Sequence, residues 1–167
     1  MTELVTERLE LRRFTEDDAG FVLRLVNEPA FLRHIGDRGV RSLDDARRYI
    51  ADGPVAGYEK YGYGLLHVVR KSDDASLGMC GILKRDVLPE PDLGFSFLPE
   101  HWSRGYAYES ASAVMRHARA VLGLHRVLAI TTSDNASSIR LLGKLGFRFD
   151  RMVPMGTEVL RLFVSDS

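Results

Sequence analysis

The feature that most constrains the fold is a strand pattern that runs through a small-residue turn into a long amphipathic helix. Residues 93–98 are typical of a strand, and Pro99 ends it because proline has no backbone N–H to give to a sheet. Beyond Gly105, apolar residues recur at helical spacing up to position 122. The first turn of a helix leaves backbone N–H groups without partners and carries partial positive charge. This turn is therefore predicted to bind a phosphate or pyrophosphate.

The side chains of the turn agree with that prediction without proving it. Gly105 lets the backbone approach a ligand, Ala107 keeps the next position small, and the Arg104 guanidinium suits phosphate oxygens. A plain strand-to-helix connection with a solvated arginine fits the turn equally well. The turn is not a dinucleotide fingerprint, because Gly105 lacks glycine partners at the required offsets, and the chain has no Gly-Lys-Ser/Thr of a Walker loop.

A second stretch, residues 135–147, predicts a short helix that Asn135 caps and that glycine closes. Four pieces of the chain, taken in order and spacing, resemble the GNAT superfamily of acetyl-CoA-dependent N-acetyltransferases; they are residues 97–100, 104–107, 135–138 and 144–147. Within that superfamily they are most similar to the RimJ/RimL branch, which acetylates N-terminal amines of ribosomal proteins. The resemblance begins at Thr6 and covers nearly the whole chain.

The resemblance implies acetyl-CoA as the co-substrate and assigns its contacts. Backbone groups of Phe97 and Leu98 are expected to pair with the pantetheine arm, and Asn135 matches the cofactor-binding asparagine of the family. The pyrophosphate is expected on the amides of Arg104, Gly105, Tyr106, Ala107 and Tyr108. Trp102 stands where many relatives have Gln or Arg, so it is expected to pack under the loop without contacting phosphate.

Ser138 matches the general acid of the branch. A serine hydroxyl is a much weaker acid than a thiol, whose ordinary pKa is about 8.5, so Ser138 is better described as a hydrogen-bond donor that relays a proton to the leaving thiolate. The alternative is a helix serine bonded to its own backbone. The rest of this helix, residues 140–145, contains no tyrosine, which many family members use for this step.

Several residues are candidates for the base that deprotonates the amine. Asp92 heads the strand before the turn, and strand alternation places it on one face with Gly94 and Ser96, whose small size would leave room for an acceptor. Glu158, at the start of the last strand, is the second candidate. Three further candidates are less well placed, and each of the acids could equally be a solvated charge; they are Asp86, Glu90 and His34.

Composition excludes several classes of protein. The 167 residues are expected to form one domain, residues 1–167, with 45% hydrophobic and 28% charged residues. The formal net charge is zero, and no apolar run is long enough to cross a bilayer, so neither nucleic acid nor a membrane is expected as a partner. Cys80 is the only cysteine and falls in an apolar strand pattern, which predicts a buried thiol. The histidines lack metal-ligand spacing, so no catalytic metal is expected.

The order of predicted elements gives the fold class. A strand at 8–14 precedes three short helices, of which Thr15 and Ser42 cap the first and third; Gly53-Pro54 then interrupts the helical pattern. A tyrosine cluster at 58–63 is either core edge or the lip of an acceptor pocket. The remaining strands are predicted at 65–69, 77–83, 126–131, 147–149 and 159–164, with Gly156 in the last turn. This is an α/β (α+β) domain of the GNAT type, with a mixed, mostly antiparallel sheet and helices on both faces.

The leading functional hypothesis is an N-acetyltransferase. It would transfer acetyl from acetyl-CoA to a primary amine, on a protein N-terminus or a small molecule, by direct attack in a ternary complex. The alternatives are a noncatalytic acyl-CoA-binding module and a nucleotide-binding site at the Gly105 turn. The beginning of the sequence has no secretory pattern, so we expect a cytoplasmic protein. We expect it to be a monomer or a homodimer.

Overall fold

The computed structural model describes residues 1–166. One eight-stranded sheet carries the fold, in the order β1-β2-β3-β4-β5-β6-β8-β7. The strands are β1 Thr2–Val5, β2 Leu9–Arg13, β3 Leu65–Arg70, β4 Ser76–Leu83, β5 Asp92–Phe97, β6 Arg126–Thr131, β7 Arg148–Met155 and β8 Glu158–Asp166. All neighbours are antiparallel except β5 and β6, which are parallel, so the prediction of a mixed and mostly antiparallel sheet is confirmed.

Six α-helices accompany the sheet; they are α1 Ala19–Leu25, α2 Pro29–His34, α3 Leu43–Ile50, α4 Ala56–Tyr61, α5 Tyr106–Ala120 and α6 Ala136–Lys144. The predicted caps are present. Thr15 forms a capping box with Asp18 before a short 3₁₀ turn, and the Ser42 hydroxyl accepts a hydrogen bond from the Asp45 amide at 3.1 Å. In the described part of the chain no helix is long and apolar enough to span a bilayer.

Helices pack on both faces of the sheet. The two faces separate at neighbouring residues of β4, because side chains alternate along a strand. Cys80 belongs to the cluster that includes α5, and Met79 belongs to the cluster formed by α1, α2 and α3. Cys80 is fully buried, and burial raises the pKa of its thiol to about 12. The thiol is therefore protonated and structural, as the sequence predicts.

The structure differs from the sequence prediction at three places. β1 was not predicted, because four residues give too short a pattern to distinguish a strand from a coil. The helical pattern does not stop at Gly53-Pro54 but widens into a π turn, Ala51–Val55, that joins α3 to α4. A wider turn leaves space for the proline ring and needs no N–H from Pro54. β7 extends to Met155 instead of ending at 149, and most of this edge strand is exposed, so no apolar alternation marks it.

Candidate active site

A cleft of about 1350 Å³ opens between β5 and β6. The two strands meet only near Asp92 and Leu128, where the Leu128 amide donates to the Pro91 carbonyl at 2.9 Å. Beyond this contact they separate, and residues of both strands line the gap. Single-ligand pockets are usually about 300–1,000 Å³, so this cleft has room for two substrates side by side.

The separation leaves backbone groups of β5 without a strand to pair with. The Leu98 amide donates to the Leu77 carbonyl at 2.9 Å, so in the alternating pattern of an antiparallel pair Ser96 and Leu98 face β4. The backbone N–H and C=O groups of Phe95 and Phe97 point into the gap instead. The Leu98 carbonyl also has a partner, the His101 amide at 2.9 Å.

The prediction that Leu98 pairs with a pantetheine arm therefore needs a correction. The Leu98 amide is used inside the protein, and Leu98 is not among the residues that line the cleft, so its backbone is not presented to the gap. Phe97 keeps its predicted place, and Phe95 is the residue that the sequence reasoning missed. Which side of a strand faces a gap depends on how the strand pairs with its neighbour, and this register is not written in the strand's own sequence.

Trp102 occupies the mouth of the gap instead of packing under the loop. Its indole Nε1 donates to the Phe97 carbonyl at 2.8 Å, and about half of the residue is exposed. Trp102 lines the cleft. The carbonyl has a second lone pair, so the indole leaves one acceptor position on Phe97 free.

The start of α5 has the features of an anion site. Gly105 is the N-cap, with φ 81°, and no side chain caps the helix. The Glu109 amide is the first to bond inside the helix, to the Gly105 carbonyl at 3.0 Å. The amides of Tyr106, Ala107 and Tyr108 therefore remain unpaired at the positive end of a 15-residue helix. The Arg104 side chain is exposed beside them.

Arg8 fixes this turn from the outside, a role that the sequence reasoning did not assign. Its Nη1 donates to the Arg104 carbonyl at 3.0 Å, and its Nε donates to Glu109 at 2.7 Å. The Thr6 hydroxyl and the Arg8 amide also donate to Glu109. These hydrogen bonds tie the segment before β2 to the first turn of α5 and hold the turn in its unusual backbone conformation.

The start of α6 forms the opposite wall of the cleft. The Asn135 side chain caps the helix, since its Oδ1 accepts from the Ser138 amide at 3.3 Å. Both residues line the cleft. The Ser138 hydroxyl makes no hydrogen bond within residues 1–166, whereas the Ser110 hydroxyl donates to the Tyr106 carbonyl at 2.8 Å. Ser138 is thus not the backbone-bonded helix serine that was its alternative.

Comparison with known proteins agrees with this geometry. The family described as "Acetyltransferase (GNAT) domain" matches residues 8–148. The chain belongs to the GNAT acetyltransferase family. An uncharacterized N-acetyltransferase of Bacillus subtilis (strain 168), YoaA, is 31% identical over 147 residues, which cover 87% of this chain and 82% of the relative.

Solved structures of acetyltransferases share the fold. An acetyltransferase from Agrobacterium tumefaciens str. C58 aligns over 100% of this chain and 95% of its own, with a TM-score of 0.85 at 23% identity. RimL, a ribosomal L7/L12 α-N-protein acetyltransferase in complex with coenzyme A, aligns over 99% and 98% with a TM-score of 0.82 at 15% identity. The predicted fold and family of this acetyltransferase are confirmed.

The rest of the cleft is built from side chains. Tyr61 and Tyr63 stack with their ring centroids 5.7 Å apart and line it, while Tyr58 is buried. The Tyr58 hydroxyl accepts from the Phe14 amide and donates to the Leu65 carbonyl, and burial raises its pKa to about 12. Each of the two alternatives for the tyrosine cluster therefore holds for part of it. Tyr58 belongs to the core, whereas Tyr61 and Tyr63 line the cleft.

His34 lies in the cleft and is joined to the loop that leads into α6. Its Nδ1 is 2.8 Å from the Thr132 hydroxyl oxygen and 3.6 Å from an Asp134 carboxylate oxygen. Arg33 donates to the same carboxylate at 2.7 Å, and hydrogen bonds from Arg33 and Thr132 lower the pKa of Asp134. The ring is thus held on its Nδ1 side. Its Nε2 has no partner within residues 1–166.

Asp92 is not the free carboxylate that the sequence suggested. It is fully buried, and both of its oxygens accept from Arg85 Nε, at 3.1 and 3.2 Å. Burial raises the pKa of Asp92, and the Arg85 charge opposes that rise. The space beside Gly94 is narrow, since a Cβ there would be in van der Waals contact with the Leu65 and Leu83 side chains at 3.5 Å. This geometry argues against Asp92 as the base.

The other predicted bases are farther from the site. Glu158 is exposed in the β7–β8 hairpin, opposite Met155, and Glu90 forms an ion pair with Arg126 at 3.4 Å. Neither of them lines the cleft. Asp86 lines it but is exposed. Of the predicted site residues, most of the cofactor set and Ser138 line the cleft, whereas Leu98, Arg104 and Glu158 do not.

Proposed function

We propose that this acetyltransferase moves an acetyl group from acetyl-CoA to a primary amine by direct attack in a ternary complex. The observation that carries the proposal is the single continuous cleft. One end is lined by unpaired backbone groups and a helix N-terminus, and the other by side chains of α2, α3 and the β4–β5 loop. A cofactor and an acceptor bound at the two ends would meet inside it, without a covalent enzyme intermediate.

The cofactor end fits coenzyme A group by group. The pyrophosphate would bind the amides of Tyr106, Ala107 and Tyr108, and the Arg104 side chain adds a charge beside them. The pantetheine amides would pair with the backbone of Phe95 and Phe97 in place of a neighbouring strand. The whole protein has no net charge, so an anionic cofactor needs a local site of this kind.

Two cations on α6 complete that end. Arg140 and Lys144 are one helical turn apart, and both line the cleft. Their charges are suited to the phosphates of coenzyme A. Asn135 keeps its cap role toward Ser138, and its side-chain N–H groups have no partner within the described residues, so they are available to the cofactor.

We assign Ser138 to the departing thiolate. A hydroxyl that is not bonded to its own helix can turn toward the sulfur as negative charge develops there, and such a donor stabilises the transition state more than the ground state. The serine need not ionise, because it can pass on a proton taken from water or from the new amide.

We assign the removal of the amine proton to His34 in place of Asp92 and Glu158. A histidine whose Nδ1 is hydrogen-bonded presents its Nε2 lone pair in one direction, here with Thr132 and Asp134 fixing the ring. His34 is also tied to the loop that carries Asn135 and leads to Ser138, so proton acceptor and proton donor flank the same part of the cleft.

The acceptor is proposed as a primary amine, on a protein N-terminus or a small molecule. RimL, which shares the fold, is a ribosomal L7/L12 α-N-protein acetyltransferase, and this supports the protein N-terminus. The alternative, a noncatalytic acyl-CoA-binding module, would need the cofactor end alone. The same fold serves many amines in different proteins, so the side chains of the acceptor end determine which amine binds.

The test is a CoA-release assay with acetyl-CoA and a panel of N-terminal peptides and small amines, with mass spectrometry of the products. We expect release that depends on the amine and initial-rate plots that intersect, as a ternary complex requires. Tight acetyl-CoA binding with no amine-dependent release would instead support the binding module. Competition of ATP or NAD with CoA at similar concentrations would support the nucleotide site.

A further inference from the structure

The acceptor end contains two arginines and a tyrosine that can all donate hydrogen bonds to a ligand, and they come from three separate parts of the chain. Arg38 lies in the loop between α2 and α3, Tyr49 on α3 and Arg85 in the loop between β4 and β5. All three line the cleft. We refer to them together as the Arg38–Tyr49–Arg85 subsite.

Arg85 is held in one orientation. Its Nε donates to both oxygens of Asp92, which is fully buried and cannot turn to solvent. Neither Nη group has a hydrogen-bond partner within residues 1–166. The outer edge of the guanidinium, with two parallel N–H groups, is therefore presented for a planar oxyanion. Asp92 acts here as a positioning residue.

The other two members leave their polar groups equally free. The Arg38 side chain forms no ion pair with the described residues, although its loop is fixed because Asp37 accepts from the Gly39 amide at 2.8 Å and from Arg41. Tyr49 is half-buried, and its hydroxyl has no hydrogen-bond partner in the described chain. Burial raises the pKa of Tyr49, and the charges of Arg38 and Arg85 oppose that rise. All three polar groups thus lie on the wall of the same cleft.

We propose that the Arg38–Tyr49–Arg85 subsite binds a carboxylate of the acceptor, so that the preferred substrate is an amine that carries a carboxylate a few bonds from its nitrogen. Asp92 offsets one of the two arginine charges, and Lys84, which lines the same cleft, adds another, so the subsite keeps an excess of positive charge that suits a carboxylate. Asp86, which follows Arg85 in this loop, is exposed and forms no ion pair with Arg85 in the described chain. This inference rests on the proposed amine acetylation and adds the class of amine.

The test compares dipeptide amides that differ only by one carboxylate. Ala-Asp-NH₂ is measured against Ala-Asn-NH₂, and Ala-Glu-NH₂ against Ala-Gln-NH₂, so that the amine and the size of the side chain stay matched. We expect kcat/KM to be at least about tenfold higher for the acid in one of the pairs, a difference of about 1.4 kcal/mol. Ratios within about twofold in both pairs would overturn the subsite.

Substitutions in the subsite test which residues cause the preference for the acidic peptide. Arg85→Gln alone would leave Asp92 buried without its partner, so the double variant R85Q/D92N removes both charges together. We expect the acid-to-amide ratio to fall below about threefold in this variant, and to fall partly in Arg38→Gln and Tyr49→Phe, which disturb no buried ion pair. Arg48→Gln is the matched control, because Arg48 lines the same cleft but is already paired with Asp45. Discrimination that survives in all three subsite variants would place the carboxylate elsewhere and refute the proposal.

A binding measurement separates this proposal from the proposed function. Calorimetric titration of Ala-Asp-NH₂ and Ala-Asn-NH₂ into the protein with bound CoA reports the subsite without turnover. Preferential binding of the acid with no acetylation of any amine would keep the subsite and contradict the proposed function. Acetylation of both peptides at equal rates and with equal affinities would support the proposed function and refute the subsite.

Discussion

The two ends of the cleft differ in the groups that they present to a ligand. The cofactor end combines backbone groups of residues 95–108 with side chains of α6, and its conformation is set by Gly105, the helix caps and the hydrogen bonds of Arg8. The acceptor end uses side chains from α2, α3 and two loops, and it is held together by long-range contacts such as His34 with Thr132 and Arg85 with Asp92. The turn at the heart of the cofactor end is set mainly by its own sequence, whereas the acceptor end depends on contacts between distant residues.

This difference explains how one scaffold can keep its cofactor and change its acceptor. Backbone amides remain when side chains are substituted, so the cofactor end tolerates drift as long as Gly105 and the start of α5 persist. The acceptor end changes with every substitution at Arg38, Tyr49 or Arg85. Mutations at the two ends should therefore separate in kinetics: the first should act on acetyl-CoA, and the second on the amine.

The largest effect is expected for Ser138→Ala. If Ser138 donates to the departing sulfur, kcat should fall on the order of 10²-fold, while KM for acetyl-CoA changes little, because the bond matters most as thiolate charge develops. Steady-state kinetics with Ser137→Ala as the control measures this, since Ser137 is the adjacent serine on the same wall of the cleft. A rate within about twofold of the parent would return Ser138 to a structural role.

Gly105→Asp should weaken CoA binding at least about tenfold, a loss of about 1.4 kcal/mol or more. The substitution adds a negative charge to the turn that is proposed to hold the pyrophosphate, at a backbone φ of 81° that side chains rarely adopt, and its Cβ would lie 3.3 Å from Arg8 Nη2. Gly123→Asp is the matched control, because Gly123 follows the other end of α5 with φ 69° and open space around it. Equal CoA affinities of the two folded variants, measured by calorimetry, would refute the pyrophosphate site.

His34→Gln should lower kcat/KM for the amine by about tenfold at pH 7 and by much less at pH 9.5, since an α-amino group with an ordinary pKa of about 8 is already free at high pH. Asp92→Asn provides the contrast. If Asp92 only positions Arg85, its ratio to the parent should be flat over the same pH range. A pH-dependent loss in Asp92→Asn and a flat one in His34→Gln would restore Asp92 as the base.

The smallest expected effect concerns the core beneath the acceptor end. His67 is buried between the rings of Phe14 and Phe21, and burial lowers its pKa, with Arg12 acting in the same direction and Asp18 against it. The folded state therefore binds fewer protons than the unfolded state, and stability should fall as the pH drops through about 6.5, the ordinary pKa of histidine.

Urea unfolding of the parent and His67→Gln between pH 7.5 and 5.5 measures this dependence. We expect the free energy of unfolding to decrease more steeply with acid in the parent than in the variant. Parallel curves would show that another group controls the acid sensitivity. CoA affinity at pH 6 should change less than amine KM, because His67 stacks on Phe21 of α1, on the face of the sheet opposite α5.

The parts of the fold that the sequence predicted are those with local physical causes. Thr15, Ser42 and Asn135 cap helices because a short side chain can reach the free amides of its own next turn. The stripe of α5 needs only its own spacing. The π turn at 51–55 could not be predicted, since a Gly-Pro pair ends helices far more often than it widens them.

The parts of the site that the sequence missed depend on contacts between distant residues. Phe95 faces the gap and Leu98 does not, because β4 determines which edge of β5 is already paired. Asp92 looked like a base because strand alternation placed it beside two small residues. Only the path of the β4–β5 loop brings Arg85 onto it, and only the packing of Leu65 and Leu83 narrows the space beside Gly94.

Trp102 makes the mouth of the cleft observable in solution. It is the only tryptophan in the chain, and its indole is half-exposed and bonded to the carbonyl beside which pantetheine is proposed to lie. Its fluorescence is therefore a built-in reporter of the cofactor end alone. Arrival of acetyl-CoA should shift the emission as the indole loses water or its hydrogen bond, whereas arrival of an acceptor should leave it unchanged, so the order in which the two substrates bind can be followed without any label.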